Sequence, residues 1–166
     1  MMNLTLEQSI QYAAELRSSG QAEQAKTALE QLLQQYPQQP DVLYQLAWTC
    51  DNLGLERQAV PYYEQALQHG LTGEDRPDAM LGLGSTYRTL GRYEDSQQLL
   101  EQAIAQYPER RELQVFYAMT LYNLDKSADA IGILLEQLAA TTSDAGIAQY
   151  GKALRFYADK LDQVWD

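Results

Sequence analysis

The stretch Leu81-Gly82-Leu83-Gly84-Ser85-Thr86-Tyr87-Arg88-Thr89-Leu90-Gly91-Arg92-Tyr93-Glu94-Asp95-Ser96-Gln97-Gln98-Leu99-Leu100 reads as two helices joined by a tight turn at Leu90-Gly91. Leu83 and Tyr87 lie four apart before the turn, Ser96 and Leu100 four apart after it, so each segment has one core-facing stripe. Gly84 and Ser96 are small, which lets two backbones approach, while Leu83, Tyr87 and Leu100 fill the space between them.

The same arrangement recurs along the chain. Turn marks fall at Ser19-Gly20, Leu53-Gly54, Leu90-Gly91 and Leu124-Asp125, spaced 34, 37 and 34 residues apart. Five residues past each mark stands a small residue: Ala25, Ala59, Ser96, Ala130. Nine past it stands a large one: Leu29, Tyr63, Leu100, Leu134. Four before it lie Leu16, Cys50, Tyr87 and Leu121. Seven before it come Ala13, Ala47, Gly84 and Ala118, and eight before it Tyr12, Leu46, Leu83 and Tyr117.

These residues resemble the tetratricopeptide repeat (TPR) pattern W-x2-L-G-x2-Y…A-x3-F…P, whose helix–turn–helix units repeat every ~34 residues. Leu83-Gly84, Tyr87 and Pro108 carry the best match, and Tyr36-Pro37 and Tyr107-Pro108 end second helices, as proline requires. The tryptophan position holds Ser9, Leu43, Met80 and Gln114 instead. The second unit ends at Leu71 without proline, and Asp125 replaces the fourth turn's glycine. The implied architecture is all-α: a right-handed superhelical solenoid of four helix pairs in a single domain, 6–39, 40–76, 77–110 and 111–142, plus a capping helix over 143–165. The three extra residues of the second interval predict a longer loop over 69–76. The capping helix is expected to start at Ser143 or Asp144 and to show a stripe of Ile147, Tyr150, Leu154, Tyr157, Leu161 and Val164. Within the family, the chain looks most like small bacterial TPR proteins with a similar closing helix.

Composition narrows the function. The chain has 166 residues and a net charge of −11, which disfavours nucleic acid and anionic membrane surfaces as partners. The acidic residues are spread along the chain, as on a solvated surface. No stretch has the ~18–20 apolar residues needed to span a bilayer, and the N-terminus lacks a signal-peptide pattern, so the cytoplasm is the expected location. One cysteine excludes an internal disulfide.

Catalysis finds little support. His69, the sole histidine, stands at a helix end before Gly70, and Cys50 takes a core position of the repeat, where an inert thiol is expected. One cysteine and one histidine do not suit zinc. Gly82-Leu83-Gly84-Ser85 lacks the third glycine, preceding strand and lysine of a phosphate loop. No cofactor, no metal and no enzymatic activity are expected.

In the family, first helices line the concave side of the superhelix, and the resemblance places ligand contacts ten, six and three residues before each turn mark. Those positions hold Ile10, Tyr44, Leu81 and Val115; Ala14, Trp48, Ser85 and Met119; and Arg17, Asp51, Arg88 and Tyr122. The expected ligand groove is therefore Tyr44, Trp48, Leu81, Met119 and Tyr122 with two cations, Arg17 and Arg88. Aromatics and arginine supply much of the binding energy of protein interfaces, so a peptide with apolar and some acidic side chains fits best. Tyr44 and Trp48 have a second reading, as padding between repeats. The family's chaperone-binding members clamp a C-terminal carboxylate with Lys and Asn, but the matching places here hold Ile10, Ala14, Tyr44 and Ser85. The expected function is a protein- or peptide-binding adaptor. The alternatives are a homo-oligomeric scaffold, with Phe156 and Trp165 off the closing stripe, or a regulatory subunit.

Overall fold

The computed structural model describes residues 4–166, all in helices and connecting turns. The chain divides after Gly91 into two compact units. The first holds α1 (Leu6–Ser18), α2 (Ala22–Gln35), α3 (Pro40–Asn52), α4 (Glu56–Gln68) and α5 (Asp75–Thr89). Each helix packs on the next, and the first helices also touch: α1 lies against α3, and α3 against α5.

Local chemistry sets the helix bounds. Thr5 caps α1 through a capping box: its hydroxyl accepts from the Gln8 amide at 3.2 Å, and the Gln8 side chain accepts from the Thr5 amide at 2.9 Å. Pro40 opens α3, where its missing N–H costs nothing. Tyr36 and Tyr107, each before a proline, end α2 and its later counterpart by leaving the helical region, at φ −130° and −132° with ψ 69° and 63°. The loop after α4 runs to Asp75.

Four of the turns close in one way. The Gln21, Leu55, Leu71 and Lys126 amides donate back to Leu16, Cys50, Ala66 and Leu121 carbonyls at 2.8–3.0 Å. This bond needs a left-handed residue just before the donor. Gly20, Gly54 and Gly70 supply it at φ +69° to +87°, whereas Asp125 adopts φ +60° with a side chain attached.

The small residues expected at the packing positions of unit one, Ala13, Ala25, Ala47 and Ala59, are fully buried. Leu29, Leu43, Leu46, Cys50, Tyr63, Leu83 and Tyr87 close the core around them. Gly82 has a separate reason to be small. A Cβ there would sit 2.6 Å from the hydroxyl of Tyr63, which crosses from α4.

The second unit holds α6 (Tyr93–Gln106), α7 (Arg111–Asn123), α8 (Ser127–Thr141), α9 (Ala145–Gln149) and α10 (Gly151–Tyr157). α6 packs on α7, α7 on α8, and α10 returns onto α8. Leu100, Ala103, Leu113, Ala118, Leu121 and Ala130 are buried. Ser96 at the small position places its hydroxyl 2.9 Å from that of Thr120, so two buried polar groups satisfy each other.

The closing segment differs from one continuous helix over 143–165. Asp144 caps it, accepting from the Ile147 amide at 2.9 Å. The chain then breaks at Tyr150 into α9 and α10, and helix ends at Tyr157. The break brings α10 back over α8, where a Cβ on Gly132 would meet the Ala158 carbonyl oxygen at 2.3 Å. Arg155 fastens the crossing by donating to the Ala139 carbonyl at 3.0 Å. None of the described helices is long and apolar enough to cross a membrane.

Candidate interaction face

The first unit presents the turnward halves of α1 and α3 side by side. Trp48 of α3 is 43 % exposed, although it sits on a helix that buries Leu43, Tyr44, Leu46, Ala47, Thr49 and Cys50 around it. Its ring is fixed from two sides. The Arg17 guanidinium carbon lies 3.9 Å from the ring centroid, within cation–π range. Tyr44 tilts against it with centroids 5.9 Å apart.

Tyr44 itself is only 3 % exposed, and the Tyr63 ring also lies against it, at 6.3 Å between centroids. It supports the Trp48 ring from beneath; it does not offer a free surface. The spacing that put Tyr44 and Trp48 four apart placed both on one side of α3, but the burial of each depends on where α4 lies.

Arg17 is tied down by Nη1, which donates to Gln45 Oε1 at 2.7 Å, the Gln45 carbonyl at 3.4 Å and Thr49 Oγ1 at 3.3 Å. Thr49 in turn donates to the Gln45 carbonyl at 2.7 Å. Burial pulls the Arg17 pKa below its ordinary value, with nearby Tyr44 and Tyr63 opposing. Gln45 and Thr49 were not among the expected site residues. Their one signal in the sequence is that polar side chains occupy an otherwise apolar helix.

Asp51, on the next turn of α3, is occupied by its own unit. Tyr63 donates to its Oδ2 at 2.8 Å, and the Thr86 hydroxyl lies 3.1 Å from both carboxylate oxygens. α3, α4 and α5 are thereby joined at one carboxylate. Burial raises the Asp51 pKa, and the hydrogen bonds from Tyr63 and Thr86 work against that rise. Leu81 and Arg88 lie half-buried on α5.

The remaining expected contacts belong to the second unit. On α7, Met119 is half-buried and Tyr122 is 67 % exposed. A further apolar area lies on α8, where Ile131, Leu134 and Leu138 are exposed, and on the closing segment, where Phe156, Tyr157 and Trp165 form a ring cluster with centroids 5.2–6.3 Å apart.

Neither candidate for chemistry sits in an activating environment. Cys50 is fully buried and its thiol is pushed up to about 11 by desolvation, so it is protonated near neutral pH. His69 is an exposed helix cap whose amide donates to the Gln65 carbonyl.

Residues 40–161 match a family model described as a tetratrico peptide repeat, and residues 6–49 match a second described as a tetratricopeptide repeat. No curated protein sequence matches the chain significantly. Among solved structures, the chain is similar to YrrB, described as a TPR protein with an unusual peptide-binding site, at TM-score 0.69 and 17 % identity, over 85 % of this chain and 71 % of that one. It is also similar to Podosopora anserina putative kinesin light chain nearly identical TPR-like repeats, at TM-score 0.71 and 20 % identity, over 95 % and 86 %. A third neighbour is MamA, at TM-score 0.70 and 19 % identity, over 96 % and 91 %. These identities speak for the shared fold. With consecutive packed helices, repeat turns at matching positions and a family model spanning most of its length, the chain belongs to the tetratricopeptide repeat family, whose members serve in general as protein-interaction modules.

Proposed function

We propose that the chain is a polypeptide-binding adaptor with no catalytic role, and that it engages its ligand on the first-helix face of unit one. The helix pairs 6–39 and 40–76 and the helix that opens 77–110 build this face. Trp48 is its centre, flanked by Arg17, with Tyr44 as support and Leu81 and Arg88 as further contacts. Met119 and Tyr122 hold the equivalent register on α7 and would serve as contacts of the second unit.

The observation that carries this reading is Trp48 itself. A large aromatic ring held half-exposed by Arg17 and Tyr44 loses little conformational freedom on binding, which is the property of an interface hot spot. The test is selection of binders from a displayed library of random peptides on the wild type and on Trp48→Ala in parallel. Enrichment on the wild type that Trp48→Ala abolishes supports the site. Equal enrichment on both removes it.

A second reading, self-association, is favoured by the exposed Ile131, Leu134 and Leu138 on α8. A contiguous exposed apolar face of this kind marks an interaction site in many proteins. Light scattering across concentration tests it: a mass that rises for the wild type and stays monomeric for Leu134→Glu supports it, and a constant monomer mass removes it.

A further inference from the structure

Among the described residues, Arg17 is a half-buried cation that pairs with no carboxylate. All of its hydrogen bonds to the described residues run from Nη1 to neutral acceptors, on Gln45 and Thr49. Its Nε and Nη2 donors make no hydrogen bond, and Arg17 makes no ion pair, among the described residues. The chain carries 23 Asp and Glu against 12 Lys and Arg, so acidic partners are plentiful. Asp51, which shares helix α3 with Gln45, Trp48 and Thr49, is taken up by Tyr63 and Thr86 instead. Desolvating a charge without a counter-charge is costly, and burial indeed works against the charged form of Arg17.

The geometry around this cation suits one class of ligand. The Trp48 ring, 3.9 Å from the guanidinium carbon, and the Nη1 bonds to Gln45 and Thr49 hold the group in place. The Nε–Nη2 edge is then a preorganised fork, matched to the two oxygens of a carboxylate. A phosphate, with close to two negative charges, would call for a cluster of cations, and the protein as a whole is strongly anionic.

We propose that Arg17, held against Trp48, is a carboxylate-binding subsite that takes an acidic group of the bound peptide. This assignment rests on the peptide-binding reading of the same face. The acidic group is either a side chain or the peptide's C-terminus, and the Trp48 ring packs beside the apolar atoms next to it.

The experiment uses peptides selected on the wild-type chain, each resynthesised with Glu→Gln or Asp→Asn and, separately, with an amidated C-terminus. Affinities are measured by fluorescence anisotropy on wild type, Arg17→Met and Arg17→Lys, with circular dichroism confirming that each variant folds. Neutralising the correct carboxylate weakens wild-type binding by roughly ten-fold or more. Arg17→Met weakens the parent peptide to a similar degree and no longer distinguishes acid from amide. Arg17→Lys, which keeps the charge but loses the fork, recovers part of the difference. Whichever modification has the effect identifies side chain or C-terminus as the source. If Arg17→Met still tells acid from amide as the wild type does, or if neither neutralisation matters to the wild type, the subsite is refuted while peptide binding stands. If the folded wild type selects no peptide, the peptide-binding reading fails and the subsite falls with it. Should Arg17→Met not fold, the wild-type series and Arg17→Lys decide the question: full retention of acid preference and affinity by lysine contradicts the fork.

Discussion

The hydroxyl of Tyr63 fills the place that a Cβ on Gly82 would need, 2.6 Å away, and from there it reaches Asp51 Oδ2 at 2.8 Å. Three helices thus meet through a residue with no side chain. Gly82→Ala would raise helix propensity by about 1 kcal/mol at an exposed site. Here the added methyl displaces a ring that is 2 % exposed and hydrogen-bonded at its tip. The expected net effect is a loss of ~1–3 kcal/mol in chemical denaturation; a gain in stability would show that Tyr63 moves freely.

The Asp51 carboxylate makes that junction sensitive to pH. Its pKa is raised in the folded protein, chiefly by desolvation. The folded state therefore holds this proton more tightly than the unfolded state does. Relative stability from this group is greatest below the unfolded carboxylate pKa and is lost as pH rises through the folded one. Denaturation of wild type and Asp51→Asn at neutral and acid pH isolates the effect, since all other carboxylates are shared. Wild type gains on the variant as pH falls. A pH-independent difference would contradict the shift.

Gly132 has a harder neighbour than Gly82. The Ala158 carbonyl, 2.3 Å from a built Cβ, is backbone and cannot swing aside. Gly132→Ala should cost about 1–3 kcal/mol by lifting the end of α10 from α8. Proteolysis should then cut between residues 143 and 160 faster than in wild type, with the helices before Thr142 still protected. An unchanged digestion pattern would mean that the closing segment does not depend on this contact.

Asp125 stands at φ +60°, where three corresponding turns carry glycine. Left-handed backbone is strained for a residue with a Cβ, by roughly 1 kcal/mol. Asp125→Gly is expected to stabilise the second unit by up to about 1 kcal/mol, offset in part by the greater freedom of glycine when unfolded. A clear loss of stability would mean that the aspartate side chain has its own role.

Much of this fold could be read from spacing alone, because small and large residues recur at fixed distances from each turn. Ala13, Ala25, Ala47 and Ala59 are buried where the pattern put them. The same rule misleads at Tyr12 and Leu134, which take large core positions yet are 51 % and 41 % exposed. A repeat position is buried only if a neighbour packs on it, and the pattern within one unit does not report its neighbours. The break at Tyr150 was hidden for a related reason, since an apolar stripe at helical spacing continues through it. At the candidate face, the register set Trp48 and Arg17 on first helices, and the structure brings the two together. The burial of Tyr44 was not, because it depends on Tyr63 from a different helix. The Gln45–Thr49 support and the Asp51 junction are tertiary features that no local spacing encodes.

The central claim is that Trp48 is the ligand-contacting residue of the interaction face. Its direct test is the anisotropy titration of a peptide selected on the wild type against wild type, Trp48→Ala and Leu134→Ala. Both variants alter exposed side chains, so each should retain the wild-type circular dichroism. The account predicts a loss of roughly ten-fold or more in affinity for Trp48→Ala and no change for Leu134→Ala. Equal affinity of wild type and Trp48→Ala, or a loss confined to Leu134→Ala, would contradict it.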